Sequence, residues 1–139
     1  MIVAGVMSGT SCDGINVALV KISRVRGDPK IKLLGHAEFP YPKPVRNAVL
    51  AAMNAPQASV PDLSRLNYVL AELYAQAVIS AQRRFRTKTE LVGCHGQTLY
   101  HQGEAANYLG YKIAATWQTG DGAVIAARVG VPVVSDFRP

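Results

Sequence analysis

Apolar residues alternate or run together over 2–8 and again over 15–22, with a small polar stretch between them. Two such runs flanking a tight Gly/Ser/Thr/Asp turn predict a β-hairpin. A polar connection over 23–29, punctuated by Gly27-Asp28-Pro29, leads to a third strand over 30–39 and completes an antiparallel meander. Pro40, Pro42 and Pro44 break the chain before a short helix over 45–53, and a loop fills 54–61. Leu63, Leu66, Leu70, Leu73, Ala77 and Ala81 recur at helical spacing, which predicts a long helix to Arg84 capped by Asp62 or Ser64. Residues 90–95 predict a short strand that ends in a Gly-His-Gly turn. Residues 97–111 then read as a long polar connection, a candidate substrate loop. A strand over 112–116, a helix over 119–128 stopped by Gly130, and a strand over 131–135 follow. The order β-β-β-α-α-β-β-α-β predicts an α/β chain, a mixed sheet with an antiparallel β-meander and flanking helices. A strong strand followed only by Asp136-Phe137-Arg138-Pro139 reads as a truncation, with a terminal edge strand as the alternative.

The turn of the first hairpin concentrates the chemistry. Gly9, Thr10, Ser11, Cys12, Asp13 and Gly14 offer permissive backbone, hydroxyl donors and one carboxylate within six positions. Glycines let a backbone approach a ligand closely. Backbone N–H groups together with Ser8, Thr10 and Ser11 can donate to phosphate oxygens. Asp13 is a candidate magnesium ligand, because that ion prefers oxygen and keeps several waters. Placement on a hairpin separates this loop from a P-loop or Rossmann turn, where the glycines open a helix. A purely structural hairpin is the competing reading.

Composition narrows the classes. In 139 residues, 49% hydrophobic and 17% charged content is enough for a packed core and argues against disorder. No apolar run is long enough to span a bilayer, and the start lacks a signal-peptide pattern, so a cytoplasmic protein with no membrane partner is expected. Cys12 and Cys94 do not make a disulfide framework. Cys94 reads as a buried strand residue, and Cys12 as a small neutral filler more readily than a reactive thiol. His36, His95 and His101 do not combine with them at zinc spacing. The net charge of +6 permits an anionic ligand. Its clusters at 21–32 and 83–88 read as a hairpin tip and a helix end, without the aromatic interleaving of a nucleic-acid platform.

Three further blocks carry polar groups. Gly93-Cys94-His95-Gly96-Gln97-Thr98 puts an imidazole, an amide and a hydroxyl at a strand end, where α/β sheets bind ligands. His95 can serve as acid, base or donor, and Gln97 and Thr98 suit sugar hydroxyls or an acetamido group. Gln118-Thr119-Gly120-Asp121-Gly122 precedes a helix, with Thr119 or Asp121 as its cap. Asp136 and Arg138 form an ion pair or a substrate clamp, and Trp117 reads as packing.

Together these blocks resemble the anhydro-N-acetylmuramic acid kinases, a family of the actin/hexokinase/Hsp70 superfamily. The resemblance rests on Gly5 to Gly14, on Gly93-Cys94-His95-Gly96-Gln97-Thr98-Leu99-Tyr100-His101, on Gln118 to Ala126, and on Asp136-Phe137-Arg138, in the family's order. It implies a ribonuclease H-like (actin-like ATPase) lobe, incomplete, formed by residues 1–139 as the N-terminal lobe of a sugar kinase. It also implies ATP and Mg2+ as cofactors. The substrate would be 1,6-anhydro-N-acetylmuramic acid, opened by water and phosphorylated on O6 to N-acetylmuramic acid 6-phosphate in cell-wall recycling.

By that resemblance Gly9, Thr10, Ser11, Cys12, Asp13, Gly14, Ile15 and Asn16 hold the nucleotide phosphates and Asp13 the metal. His95, Gln97, Thr98, Asp121 and Arg138 face the sugar. The family's catalytic aspartate lies in an Asp-Thr-Gly-Pro-Gly-Asn stretch that this sequence lacks, so the base is expected beyond Pro139 and the isolated chain is expected to be inactive. Cys12 stands for the usual leucine, Asn16 for an acid, and Thr119 and Gly122 for Ile and Pro. A homodimer is open to the full-length form. The rival readings are a non-catalytic phosphate- or sugar-binding module and, last, a basic nucleic-acid binder.

Overall fold

The computed structural model describes residues 1–25 and 28–138. Gly27, part of the expected turn, lies outside them. The elements run β1 (Ile2–Ser8), β2 (Gly14–Val25), β3 (Asp28–Pro40), α1 (Lys43–Ala52), α2 (Val60–Arg84), β4 (Leu91–Tyr108), β5 (Tyr111–Thr119), α3 (Gly122–Val129) and β6 (Val133–Ser135). Their order is the one the periodicity predicts.

The strands form one mixed sheet in the order β3-β2-β1-β4-β5, with β6 also on β4. β1, β2 and β3 make the antiparallel meander, while β4 lies parallel to β1 and β6 parallel to β4. Alternation along β1 buries Ala4, Val6 and Ser8 and leaves Gly5 and Met7 outside. Against that inner face α2 packs Leu66, Leu70, Tyr74 and Val78, which join Val17, Leu19, Val92 and Cys94 in one core. α3 is tied to α2 by the Arg128 guanidinium, which donates to both Glu72 carboxylate oxygens at 2.7–3.0 Å.

Three boundaries depart from the sequence reading in ways that matter for the site. First, the strand expected to stop at His95 continues to Tyr108. Gly96 takes a left-handed φ of 74° and makes an irregularity in the pairing with β1 instead of a turn. Second, the expected polar connection over 97–111 is therefore the outer half of β4. It folds back on β5 through Leu109 and Gly110, whose φ values of 50° and 86° are those of a tight two-residue hairpin turn. Third, the last helix starts at Gly122 and not at 119, because Thr119 is buried as the end of β5 and Asp121 is the cap.

The long helix is capped by Ser59, not by Asp62 or Ser64, since Pro61 is tolerated in its first turn. Gly130 ends α3 in the left-handed conformation, as expected of a C-terminal glycine. Trp117, expected in packing, sits on β5 and is 48% exposed.

Candidate active site

The loop between β1 and β2 lies at the C-terminal end of β1, beside the inner half of β4. Its turn is closed by the Cys12 N–H donating to the Gly9 carbonyl at 3.1 Å. Cys12 holds φ at 54°, and its side chain is buried against Met53, with the two sulfurs 3.3 Å apart. That plug anchors the turn from inside, while Thr10, Ser11 and Asp13 face outward. Gly14 starts β2 where an added Cβ would strike the Phe39 carbonyl. The Asn16 side-chain oxygen, further along β2, accepts across the sheet from the His36 Nε2 at 2.9 Å.

Ser8 and Gln97 join the loop to the β4 block. The Ser8 hydroxyl donates to the Gln97 side-chain oxygen at 2.6 Å, and both residues are buried. The Gln97 amide donates to the Thr98 carbonyl at 3.3 Å. Beneath them the Tyr41 and Tyr74 hydroxyls are 3.1 Å apart, a second buried polar pair. Burial pushes both phenols above their usual range; the Ser8 hydroxyl is the leading pull in the other direction on Tyr41.

His95 is half-buried. Its Nδ1 is 3.0 Å from the Gly96 carbonyl, which makes that nitrogen the donor and leaves Nε2 as an acceptor. Nε2 is buried and without a partner among the described residues. The ring lies 6.2 Å from that of Phe137, so the structure brings the Asp136-Phe137-Arg138 block to the histidine. Asp136 and Arg138 do not form an ion pair among the described residues. Both are exposed, and Asp136 has a left-handed φ of 56°.

Asp121 caps α3, one carboxylate oxygen accepting from the Ala123 and Val124 N–H groups at 2.9 and 3.1 Å. The turn ahead of it is held by Asn67 of α2, whose oxygen accepts from the Thr119 hydroxyl and the Gly120 N–H, each at 2.7 Å. Asn67 was not singled out by the sequence reading. Its signal was there: a polar residue on the same helical face as Leu63, Leu70 and Ala71. Arg46 was missed as well. It sits on α1, its Nε 3.1 Å from the Cys12 carbonyl and its Nη2 3.6 Å from the Asp13 carboxylate.

The cysteines behave as fillers. Burial raises the Cys94 thiol from 9.0 to about 11. Burial also raises Cys12, against a smaller opposing pull from Arg46, so the loop does not activate that thiol. Among the described residues no group of three or more His, Cys, Asp or Glu side chains converges on a metal position. A single exposed carboxylate, Asp13, fits a magnesium ion that takes its other ligands from phosphate and water. Among the same residues no helix is long and apolar enough to cross a membrane.

A mixed sheet in the order 3-2-1-4, a meander leading it, and an outward loop of glycine, hydroxyls and acid at the first hairpin make an α/β arrangement compatible with an incomplete lobe of the actin-like ATPase type. The family profile described as anhydro-N-acetylmuramic acid kinase matches residues 1–139, and the chain belongs to that family. It is similar to proteins named anhydro-N-acetylmuramic acid kinase from Acaryochloris marina (43% identical over 138 residues), Salinibacter ruber (40% over 139) and Caldanaerobacter subterraneus subsp. tengcongensis (38% over 140). The matches cover 98–99% of this chain but only 35% of each of those proteins. The chain thus spans about a third of the length of the curated relatives it matches.

Proposed function

We propose that residues 1–139 are the N-terminal lobe of an ATP- and Mg2+-dependent kinase of 1,6-anhydro-N-acetylmuramic acid. In that reading water opens the anhydro bond at C1 while the freed O6 takes the γ-phosphoryl group, giving N-acetylmuramic acid 6-phosphate. One observation carries it beyond family membership: the exposed loop and the His95 segment share one end of the sheet, joined by the 2.6 Å bond between Ser8 and Gln97.

Each residue then has a task. Gly9 to Asn16 cradle the phosphates, with Thr10 and Ser11 as outward donors and Asp13 beside the metal. The metal would neutralise charge on the phosphates when bound. His95 lines the same end of the sheet on the sugar side, its buried Nε2 set back from the surface. Thr98 and Arg138 add a hydroxyl and a guanidinium, the latter suited to a carboxylate such as the lactyl group of the sugar. Asp121 acts with the second oxygen that capping leaves free. Gln97 has no exposed surface and works from behind, holding the loop against the sugar segment. Positioning of this kind carries most of the catalysis in phosphoryl transfer. The general base and the opposing lobe lie outside this chain.

Titration of the chain with Mg-ATP and with the anhydro-sugar, followed by a turnover assay, tests the reading. Saturable binding of Mg-ATP without turnover is the expected result. Failure to bind Mg-ATP at millimolar concentration overturns the phosphate-loop assignment. Turnover at the rate of an ordinary sugar kinase overturns the placement of the base outside the chain.

A further inference from the structure

The first turn of α1 is built against the ordinary rules of helix stability. It carries Lys43 and Arg46 and no acidic residue, although the positive end of the helix dipole favours acids there. Asp13 offsets part of this unfavourable placement, since its carboxylate lies 3.6 Å from Arg46 Nη2. The Nε of the same guanidinium donates to the Cys12 carbonyl at 3.1 Å. Cys12 is the residue of the loop that holds a left-handed backbone without being glycine, at φ 54°. The Tyr41 N–H, two residues ahead of α1, meets the Asp13 carbonyl at 3.4 Å, so helix start and loop are stitched together at two points.

We propose that Arg46 is a positioning residue for the phosphate loop: one planar guanidinium holds the Cys12 carbonyl and the Asp13 carboxylate together and so fixes the left-handed corner between them. The inference rests on the reading of this loop as the phosphate grip, and it adds a residue from a different element to it. Its logic is geometric. The buried Cys12 side chain pins the corner from within, but a side-chain plug leaves the peptide free to rotate. A donor on the outer carbonyl removes that freedom, and with it the alternatives to one fixed set of N–H directions. A lysine would keep the charge but lacks the planar guanidinium that donates to the carbonyl through Nε while setting Nη2 3.6 Å from the carboxylate.

The test compares the chain with its Arg46→Gln and Arg46→Lys variants, and with Arg65→Gln as a control for loss of an exposed, ion-paired arginine remote from the loop. Amide hydrogen exchange over residues 9–14 is expected to quicken about tenfold in Arg46→Gln while β1 and the Gly14–Val25 strand beyond the loop exchange as before. Mg-ATP affinity is expected to fall about tenfold. Arg46→Lys should resemble Arg46→Gln more than the parent, and Arg65→Gln should change neither readout. Unaltered loop exchange in Arg46→Gln overturns the proposal, as does full recovery of both readouts in Arg46→Lys, which would reduce the role to charge. Should Arg46→Gln fail to fold, the lysine variant decides alone, parent-like exchange counting against. If the parent chain binds no Mg-ATP, the phosphate reading falls while loop exchange still judges Arg46.

Discussion

The Ser8 hydroxyl meets the Gln97 side-chain oxygen at 2.6 Å inside the protein, across 89 positions of sequence. Ser8 ends β1 and Gln97 follows the irregularity at Gly96, so one buried bond ties the loop-bearing strand to the histidine-bearing one. Removing the donor leaves a buried amide oxygen unpaired. Ser8→Ala is expected to lower stability by about 1–3 kcal/mol in urea unfolding, with an unchanged m-value. A loss below a few tenths would mean that Gln97 finds another donor at no cost.

Asn67 serves two donors from the turn before α3. Asn67→Leu keeps the volume and strands the Thr119 hydroxyl and the Gly120 N–H, at a cost of ~2 kcal/mol. The turn should loosen with it. Amide exchange at Gly120 and Asp121 is expected to rise more than at Ile125, and uniform acceleration would speak against a local role.

Gly120 holds φ at 124°, and an added Cβ would run into the Tyr74 ring. Tyr74 is fully buried, so the ring has nowhere to move. Gly120→Ala is expected to cost at least ~2 kcal/mol by thermal unfolding, from backbone strain and overpacking together.

Alkaline pH should unfold the chain earlier than its charge alone dictates. Burial holds the Cys94 thiol at about 11 against 9.0 in the open chain. The folded form therefore keeps a proton that the unfolded form releases above pH 9. Stability is full below that value and declines as pH rises toward 11, by about 2 kcal/mol from this group. Tyr41 and Tyr74 are shifted in the same direction. Cys94→Ala or Cys94→Val should flatten the decline between pH 9 and 11. In the folded chain at pH 8, iodoacetamide should leave both cysteines unlabelled.

Asp13 is exposed and its carboxylate, among the described residues, pairs only with Arg46 in an open ion pair, so its loss should cost the fold little. Asp13→Asn is expected to leave the melting temperature within a degree while weakening Mg-ATP binding about tenfold. An unchanged magnesium dependence would remove Asp13 from the metal.

The element order and the core were legible because burial follows period. Ala4 and Val6 alternate along a strand, and Leu66, Leu70, Ala77 and Ala81 repeat along a helix, all of them buried. The four blocks were legible because glycine and polar residues interrupt the apolar periodicity there, although the structure carries Gly93 to His101 through β4. What stayed hidden depends on distant partners. Gly93-Cys94-His95-Gly96 looks like a turn until β1 and β5 are in place to carry the strand through the left-handed Gly96. The arm beyond it reads as a loop, since its alternation through Tyr100, Gln102, Ala106 and Tyr108 is interrupted by Gly103 and a register shift. Arg46 looked like one of fifteen basic residues. Only the approach of α1 to the hairpin sets it apart.

The outer half of β4 and its partner β5 also set an order of melting. Tyr108, Leu109 and Tyr111 stand in water at 67%, 81% and 75% exposure on a ribbon only two strands wide. Such a ribbon has little to hold it, so mild denaturant should unzip it from Leu109 inward. The front halts at Gln97, where β1 enters the ladder. The tip can fray many times over while the grip on Ser8 stays shut.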